Sequence, residues 1–569
     1  MTLNKTDKPK TTKPNSSILG LSNGINKKTV YKTSARKQIN NLDTLPFYDR
    51  SLVDYENYHK YIGHAGVKHS VSVQATRGCP YRCFYCDVYK TTLHHFRRSV
   101  DNIFEEVKLL ADLGAKRIEF IDDIFNVKDK DFKAFFRLVL KNKLKLNFFF
   151  PSALKGDLLD KEGIDLMVEA GALGVNISLE SGSSRMQKVM RKNLNLDKFY
   201  DNARYITEKY PHIVLGLNAM HGFPTETEEE AMMTLNFIKS LKWIHFPYLL
   251  TVRAFPNTDL EKFAREKGIS DEVIKKSQDI SYEDTAPSLT FSQDFTKAVK
   301  TIFLKDYVLN KERLLSVLPH QMKNFCEDEL NQKYNSYFPT KVKTVDDLLK
   351  LARINKSELK KQDFLDEKKL KIPNLNTRIR EKFPQVKKSP NALKILLMNL
   401  SGYFSGDSDS QERKLMEPPL GLIALLTYLN REYQEKINGK IVKSGLDFDN
   451  YSEMNKIIKD FKPDIIGIGV MTFYKDFVHR AISSMRSNGI KTPIFLGGPY
   501  PTGDYEEVVK DKNVDLCMLG ESEITLTELV GKMMKNGYKL PSENELKLIP
   551  VIAFSTSENK FKQITDIAS

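Results

Sequence analysis

Residues 78–87 read Gly78-Cys79-Pro80-Tyr81-Arg82-Cys83-Phe84-Tyr85-Cys86-Asp87, and this stretch carries more information than any other part of the chain. It places three cysteines within eight residues, at C-x3-C-x2-C spacing. An iron–sulfur cluster normally takes four cysteine thiolates, so three thiolates leave one iron open to another ligand. The spacing therefore predicts a cluster with Cys79, Cys83 and Cys86 as its ligands.

Other uses of these cysteines fit the sequence less well. A structural zinc site needs four ligands, usually supplied as two pairs, and no second cysteine pair is present. His94 and His95 follow, but this is not a common finger spacing. The remaining cysteines, Cys326 and Cys517, are isolated, and a long chain with five cysteines does not suggest a disulfide framework.

Length and composition indicate a globular protein of several domains. A chain of 569 residues is too long for one core. No apolar run is long enough to span a bilayer, and the lysine-rich N-terminus lacks the apolar stretch of a secretory signal. A reduced, cytoplasmic setting is therefore expected, and an oxygen-sensitive cluster would need one.

The formal charge of +15 raises the question of nucleic-acid binding. Residues 1–45 carry nine Lys/Arg against two acids, and residues 341–390 carry fifteen against seven. The excess therefore lies in a tail and a connecting segment, where it predicts solvated surface. Because no aromatic residues interleave with these charges in a binding motif, no nucleic-acid partner is expected.

The first half of the chain alternates strand-like and helix-like segments. We expect a disordered basic tail and linker over residues 1–45 and a first domain over 46–290. Apolar runs that end in polar or glycine residues predict six parallel strands, which place the site at their C-terminal ends. The predicted strands are 71–76, 117–121, 146–150, 174–179, 212–220 and 248–253.

The second half predicts a helical connecting segment and another α/β domain. Residues 291–392 have helical periodicity, over 297–318 and 345–352. Residues 393–540 predict a doubly wound domain with glycine-rich strand ends, and 541–569 a C-terminal extension. Its predicted strands are 393–400, 441–448, 464–472, 492–499 and 514–523.

Four segments follow the cysteines in an order that resembles the radical S-adenosylmethionine (SAM) superfamily. In that superfamily a [4Fe-4S] cluster binds and cleaves SAM. One segment carries Asn257 where glycine is usual, and Asn also tolerates the left-handed conformation. The four segments are Phe120-Ile121-Asp122-Asp123-Ile124-Phe125, Leu179-Glu180-Ser181-Gly182, Gly222-Phe223-Pro224-Thr225-Glu226-Thr227 and Phe255-Pro256-Asn257-Thr258-Asp259-Leu260.

The second domain resembles the cobalamin-binding domain of the B12-dependent branch of the same superfamily. A nucleotide-binding Rossmann domain is the alternative, but no G-x-G-x-x-G follows its first strand. No D-x-H-x-x-G occurs either, so the resemblance implies cobalamin bound without a histidine from that motif. The resemblance rests on P-P-L-G-L at 418–422, D-F-D at 447–449, G-I-G-x-x-T at 467–472, G-G-P-Y-P-T at 497–502 and G-E-x-E at 520–523.

The order of the domains departs from the family pattern. Most relatives have the cobalamin domain first, whereas here it follows the radical SAM domain. Residues 32–48 resemble the linker that normally joins the two. The sequence thus reads as a circular permutation or as a fragment of a tandem array.

The resemblance implies a fold, three cofactors and a set of cofactor-binding residues. The fold is a partial (β/α) barrel of radical SAM type, a helical linker and a Rossmann-like cobalamin-binding domain. No catalytic side chain is expected beyond the cluster ligands. SAM would contact Asp122, Asp123, Glu180, Ser181, Gly222 and Pro224. Cobalamin would contact Pro419, Gly421, Asp447, Gly469, Thr472, Gly497, Gly498, Gly520 and Glu521.

The implied activity is a cobalamin-dependent radical reaction, with C-methylation of an unactivated carbon as the leading hypothesis. A cyclase or rearrangement enzyme without methyl transfer, a non-catalytic cobalamin sensor, and an RNA-modifying enzyme like the methylthiotransferases are the alternatives. The expected partners are a small-molecule or peptide substrate and an electron donor such as flavodoxin or ferredoxin. The sequence leaves open the identity of the substrate, the lower axial environment of cobalt and the oligomeric state.

Overall fold

The computed structural model describes residues 29–92, 94–278, 287–339, 341–406 and 415–556. A six-stranded sheet occupies the first half and a seven-stranded sheet the second, and a two-stranded hairpin accompanies the first sheet. The strands are β1 (Thr29–Lys32), β2 (Ser70–Val73), β3 (Thr76–Arg77), β4 (Phe96–Arg97), β5 (Arg117–Phe120), β6 (Asn147–Leu154), β7 (Ala172–Glu180), β8 (Val214–His221), β9 (Phe246–Thr251), β10 (Leu393–Asn399), β11 (Ile437–Lys443), β12 (Ile465–Gly469), β13 (Ile494–Gly497), β14 (Leu516–Met518) and β15 (Ile552–Thr556).

Helices alternate with the strands in both halves and fill the segment between the sheets. They are α1 (Tyr55–Tyr58), α2 (Val88–Thr91), α3 (Val100–Asp112), α4 (Asp129–Lys141), α5 (Lys161–Glu169), α6 (Ser184–Val189), α7 (Leu196–Lys209), α8 (Glu228–Ser240), α9 (Asp259–Glu266), α10 (Asp271–Ser277), α11 (Gln293–Phe303), α12 (Lys311–Asn324), α13 (Glu327–Asn335), α14 (Val345–Leu351), α15 (Leu375–Lys382), α16 (Leu420–Tyr433), α17 (Tyr451–Phe461), α18 (Lys475–Ser487), α19 (Pro499–Val508), α20 (Glu523–Lys535) and α21 (Glu543–Leu546). No helix in these ranges is long and apolar enough to cross a membrane.

The first sheet is parallel throughout, in the order β2-β5-β6-β7-β8-β9. Because side chains alternate along a strand, one face of each strand can pack on the helices while the other faces the interior. Phe120 and Phe148 show this packing, since their rings contact Phe135 of α4 at 5.5 and 5.9 Å between centroids. The sheet confirms the predicted partial (β/α) barrel, with strand ends shifted by a few residues.

The second sheet confirms the predicted doubly wound domain. Its parallel strands lie in the order β11-β10-β12-β13-β14, so the direction of winding reverses between β10 and β12. Helices α16 and α20 pack on one face, and α17, α18 and α19 pack on the other. In sheets of this kind ligands bind at the C-terminal strand ends, at the point of reversal.

Both predicted terminal segments are partly wrong. Strand β1 lies within the tail that was expected to be disordered, and it pairs antiparallel with β15, with Thr29 opposite Thr556. Strand β15 in turn pairs with β14, so part of the expected C-terminal extension belongs to the second sheet. Residues 1–28 and 557–569 lie outside the described residues.

The connecting segment is helical, but the helix predicted over 297–318 is interrupted. Helix α11 ends at Phe303, a π-helical turn covers Leu304–Val308, and α12 begins at Lys311. The side chain of Asn310 accepts a hydrogen bond from the Arg313 amide (3.0 Å) and so caps the new helix. The connecting helices share one apolar core with the first sheet, and they close its N-terminal end.

Candidate cofactor site

The three predicted cluster ligands lie in one loop, residues 78–87, which we call the cluster loop. It follows strand β3 directly, and Cys79, Cys83 and Cys86 are all half-buried free thiols. Gly78 opens the loop with φ +76°, a conformation that favours glycine. The loop thus begins at the C-terminal edge of the first sheet, as the sequence predicts.

Phe84, between the second and third cysteines, anchors the cluster loop to later parts of the first domain. Its amide donates to the Met190 carbonyl (3.0 Å), and its carbonyl accepts from the Leu260 amide (2.8 Å). Its ring stacks on Phe223, with centroids 5.8 Å apart. Two backbone hydrogen bonds and an aromatic contact therefore fix the loop against segments that follow β7, β8 and β9.

The electrostatics of the loop favour neutral thiols until a metal binds. Burial raises the pKa of Cys79 to about 11 and that of Cys86 to about 12. Burial also raises the pKa of Cys83, although the nearby ammonium groups of Lys192 and Lys155 act in the opposite direction. Since the thiolate is the metal ligand, cluster assembly here releases protons.

The cluster loop supplies three free thiols as possible metal ligands. Within the described ranges, no group of three or more His, Cys, Asp or Glu side chains converges on one metal position. A [4Fe-4S] cube needs no such convergence, because each thiolate binds a different iron atom. Three thiols on one anchored loop are the donor set that such a cluster takes.

Asp122 and Asp123, which follow β5, brace the start of the cluster loop. One oxygen of Asp122, Oδ1, accepts from the Ala75 amide (2.9 Å), the Thr76 amide and the Thr76 hydroxyl (2.6 Å). Its other oxygen is buried without a hydrogen-bond partner among the described residues, and burial raises the pKa of Asp122 to about 6. Asp123 accepts from the Gly78 amide at 3.1 Å. The free oxygen of Asp122 is the atom left to meet a cationic or hydrogen-bonding ligand.

Glu180 and Ser181 end strand β7 beside the cluster loop. Glu180 has φ +63°, and its Oε1 lies 2.7 Å from Lys192 Nζ and 3.2 Å from the Tyr85 hydroxyl. Ser181 is fully buried, and its hydroxyl lies 3.2 Å from that of Thr234. The Glu180 carboxylate is thus held by Tyr85 of the loop itself.

Gly222 and Pro224 lie in the turn after β8, and the carboxylate of Glu226 stabilises this turn. Glu226 Oε2 accepts from the amides of Gly222 (2.6 Å) and Phe223 (3.0 Å). Burial raises the pKa of Glu226 to about 7. The glutamate of the G-F-P-T-E-T segment therefore organises the turn at the rim of the first sheet.

Glu226 gives the protein a predictable pH dependence. Its folded pKa, about 7, exceeds the ordinary value of 4.5, so the folded state binds the proton more tightly. Protonation of Glu226 therefore adds about 3 kcal/mol to the free energy of unfolding below pH 4.5. This contribution is lost as the pH rises to 7. In urea unfolding at pH 5 and pH 8, Glu226→Gln should show less loss of stability on going to pH 8 than wild type. Glu229→Gln, at an exposed neighbour, should behave as wild type, and a full wild-type loss in Glu226→Gln would refute the assignment.

Asn257 adopts the conformation that the sequence predicts for it. Its φ of +62° is left-handed, as expected at a position where glycine is usual. Its amide donates to Glu261 Oε2 (2.6 Å), and its side chain donates to the carbonyl of Gly503 in the second domain. The turn after β9 therefore reaches the other sheet.

The residues predicted to bind cobalamin gather at the C-terminal edge of the second sheet, and we call them the glycine rim. In the part of the chain that the structure describes, a Cβ atom built on Gly421 or Gly497 has no neighbouring atom within 4 Å, so open space adjoins both. Gly498 has φ +102°, and a Cβ there would lie 2.9 Å from the Val470 carbonyl oxygen. Open space at the point where the winding reverses fits a large planar cofactor. The rim consists of Pro419, Gly421, Asp447, Gly469, Thr472, Gly497, Gly498, Gly520 and Glu521.

Buried polar groups hold two parts of the rim. The carboxylate of Asp447 accepts from the Lys443 amide (2.7 Å) and so closes the turn after β11. The buried ammonium of Lys443 donates to the Glu417 carbonyl (2.8 Å), just before Pro419. His479 lies on α18, with Nδ1 at 2.7 Å from Asp511 and Nε2 at 3.1 Å from the Tyr500 hydroxyl.

The C-terminal edges of the two sheets meet. The Phe255 ring, after β9, contacts the Phe473 ring, after β12, at 5.4 Å between centroids. Arg77, which precedes the cluster loop, forms ion pairs with Glu521 (3.0 Å) and Glu523 (2.5 Å) of the second domain. The cluster loop and the glycine rim therefore lie on opposite sides of one interface.

The sequence alone did not indicate a role for Arg77. No local pattern identifies its partners, Glu521 and Glu523. Arg77 directly precedes the C-x3-C-x2-C run, but its partner Glu523 is 446 residues away. The same holds for the contact between Lys155 and the cluster loop, in which the ammonium lies over the Tyr81 ring at 5.1 Å. Such pairs become visible only in the folded chain.

A cavity of about 190 Å³ lies inside the first sheet, toward its N-terminal end. Aromatic side chains from β6 and β9, including Phe149 and Tyr248, form much of its wall, and Asn176 of β7 adds a polar group. Gln332 and Lys333 of α13 line the cavity on the side of the connecting segment. The connecting segment thus contributes directly to the interior of the barrel.

Comparison with known proteins finds one family model in each half of the chain. The family model of the Radical SAM superfamily matches residues 73–238, and that of the B12 binding domain matches residues 411–530. A protein of Pyrococcus horikoshii named uncharacterized methyltransferase PH0819 is 26% identical over 53% of this chain and 64% of its own length. A tRNA-2-methylthio-N(6)-dimethylallyladenosine synthase of Pseudothermotoga lettingae is 28% identical over 31% of this chain and 42% of its own. The chain thus spans less than two thirds of either curated relative.

Among solved structures, the radical SAM methyltransferase TsrM from Kitasatospora setae, with cobalamin and a [4Fe-4S] cluster bound, is 21% identical with a TM-score of 0.31. The match covers 34% of this chain and 36% of that one. The two family models imply three cofactors, namely a [4Fe-4S] cluster, SAM and cobalamin. The chain therefore carries a radical SAM domain, matched over residues 73–238, followed by a B12-binding domain, matched over residues 411–530.

Proposed function

We propose that this enzyme is a cobalamin-dependent methyltransferase that acts on an unactivated carbon. The observation that carries the proposal is the meeting of the two sheet edges, with the cluster loop facing the glycine rim across Arg77 and Glu521. When bound, the cofactors supply a 5′-deoxyadenosyl radical that takes a substrate hydrogen and a methyl group that replaces it. Radical chemistry needs both cofactors beside one substrate, in a space from which water is excluded.

The residues of this chain then have distinct tasks. Cys79, Cys83 and Cys86 hold the cluster, while the glycine rim receives cobalamin. We assign SAM to the C-terminal edge of the first sheet, where one buried oxygen of Asp122 has no hydrogen-bond partner among the described residues. The SAM-binding set is Asp122, Asp123, Glu180, Ser181, Gly222 and Pro224.

We assign a small-molecule or peptide substrate to the space between the two sheet edges, where both cofactors would reach it; the cavity of about 190 Å³ lies at the other, N-terminal end of the barrel. Each SAM cleavage consumes one electron, so the proposal also requires a donor, for which a flavodoxin or ferredoxin is suited. These partners belong to the proposal and are tested with it.

The experiment uses SAM with a trideuterated methyl group and needs no known substrate. The protein is reconstituted anaerobically with iron, sulfide and hydroxocobalamin, and then reduced. A methyltransferase should form 5′-deoxyadenosine and also carry the labelled methyl group on its cobalamin. Formation of 5′-deoxyadenosine without labelled cobalamin would favour a cyclase or rearrangement enzyme. Neither product from a fully loaded protein would favour the sensor and contradict the proposal.

A further inference from the structure

We propose that Arg77 is a positioning residue that docks the B12-binding domain onto the cluster loop, so that the two cofactors keep a fixed separation. Arg77 ends strand β3 and is followed at once by Gly78 and Cys79. Its displacement would therefore move the first cluster ligand. The effect on catalysis rests on the proposed function, but the docking itself does not.

The guanidinium of Arg77 contacts two carboxylates of the second domain at once. Nη1 of Arg77 lies 3.0 Å from Glu521 Oε2, and Nη2 lies 2.5 Å from Glu523 Oε1. The Arg77 side chain is only 7% exposed and that of Glu523 only 4%. A planar guanidinium can engage two carboxylates at once, which a lysine ammonium does with less directional control. The side chain thus joins two rigid elements through two separate bonds.

The charges around Arg77 make it hard to replace. Glu521 and Glu523 are both acidic, Asp123 lies near Glu521, and burial raises the pKa of Glu521. Without the guanidinium, the buried carboxylate of Glu523 would lose its cation, and unpaired buried charge is strongly unfavourable, whereas the Glu521 side chain is 37% exposed. The domains would then separate locally or take up water. The arginine therefore determines whether the two edges close.

Other contacts also join the two halves of the chain, among them the packing of α2 against α19 and the backbone bridge between Ile62 and Leu415. Two contacts near the cluster loop are of a different kind from that of Arg77. Asn257 donates a neutral hydrogen bond to the Gly503 carbonyl, and Phe255 packs on Phe473. Both contacts start from the turn after β9 and none of these residues is adjacent to a cysteine in the sequence. They can hold the domains together at one side while the cluster loop moves. Arg77 differs from both because it is bonded directly to Gly78, the first residue of the cluster loop.

The proposal changes the role of the G-E-x-E segment. Glu521 was predicted from the resemblance to contact cobalamin, yet its carboxylate is directed to Arg77. Glu523, the second acid of the segment, begins α20 and contacts the same guanidinium. We therefore assign both carboxylates to docking, and leave Gly520 and the other glycines as the part of the rim that faces the cofactor.

Hydrogen–deuterium exchange on the cofactor-free full chain tests the docking directly. In Arg77→Met, amides of residues 76–87 and 516–526 should exchange about tenfold faster than in wild type, since both segments lose their shared contact. Arg77→Lys should fall between the two. The control Arg98→Met removes a buried arginine that pairs within the first domain, with Glu106 at 2.5 Å. It should leave residues 516–526 unchanged.

Unchanged exchange at 516–526 in Arg77→Met would overturn the proposal. Should Arg77→Met fail to fold, Glu523→Gln is measured instead. Amide exchange in both segments should then be faster than in wild type, although by less than in Arg77→Met. Unchanged exchange in Glu523→Gln would overturn the proposal. In the loaded protein, the dipolar coupling between the reduced cluster and cob(II)alamin should be sharply defined in wild type and broadened in Arg77→Met. If exchange is faster in Arg77→Met than in wild type, but the loaded wild-type protein forms no 5′-deoxyadenosine, the proposed function fails and the docking stands.

Discussion

Replacing Cys83 with alanine is expected to abolish 5′-deoxyadenosine formation, to below about one thousandth of the wild-type rate, because loss of a cluster ligand removes the electron source. The loop offers no substitute ligand, since its other two thiols are already required. The measurement is 5′-deoxyadenosine per enzyme after anaerobic reduction with SAM, alongside iron content and the visible absorption of the cluster.

The control for Cys83→Ala is Cys326→Ala. Cys326 is a buried free cysteine at the start of α13, outside the cluster loop. Cys326→Ala makes the same chemical change in the connecting segment, and this variant should retain both iron and activity. A Cys83→Ala protein that keeps a full cluster and cleaves SAM would show that the cluster is held by other residues.

Gly497→Val is expected to weaken cobalamin binding at least about tenfold while leaving the fold intact, because the added side chain enters the space at the end of β13. Among the described residues, no atom outside the adjoining chain lies within 4 Å of a Cβ built there, so we expect the substitution to meet what binds in the cleft. Valine also suits the extended backbone of a strand. The measurements are retention of hydroxocobalamin on gel filtration and the midpoint of urea unfolding.

The neighbouring Gly498→Ala provides the contrast. Its φ of +102° and the Val470 carbonyl at 2.9 Å mean that any side chain strains the backbone itself. This variant should lose about 1–3 kcal/mol of unfolding free energy, which Gly497→Val should not. Wild-type cobalamin retention by a folded Gly497→Val protein would place the cofactor away from this strand end.

The cluster loop and its surroundings could be predicted because their determinants are local. The cysteine spacing, the strand ends and the left-handed conformation at Asn257 all depend on residues within a few positions of one another. The parallel strand order follows from the alternation of strands and helices. Assignment of individual residues to SAM or cobalamin rests on the resemblance and stays a prediction.

The failures concern contacts between distant parts of the chain. Strand β1 has only four residues, Thr29–Lys32, and its partner β15 begins more than 500 positions later. Without that partner, nothing in a polar lysine-rich segment indicates a strand. The interrupted helix at 304–310 is likewise set by packing, because Tyr307 and Val308 are buried in the barrel core.

The pairing of β1 with β15 has a consequence for how this architecture can be encoded. Thr29 lies opposite Thr556, so a short turn between those two positions would make the strands an ordinary hairpin. From there the chain would run from the B12-binding domain through residues 33–69 into the barrel, the order that the resemblance to the B12-dependent branch implies. Opening such a chain near residue 390, between α15 and β10, would leave both sheets as they are. A gene could therefore exchange one domain order for the other by moving its start and stop positions, while every strand kept its neighbours.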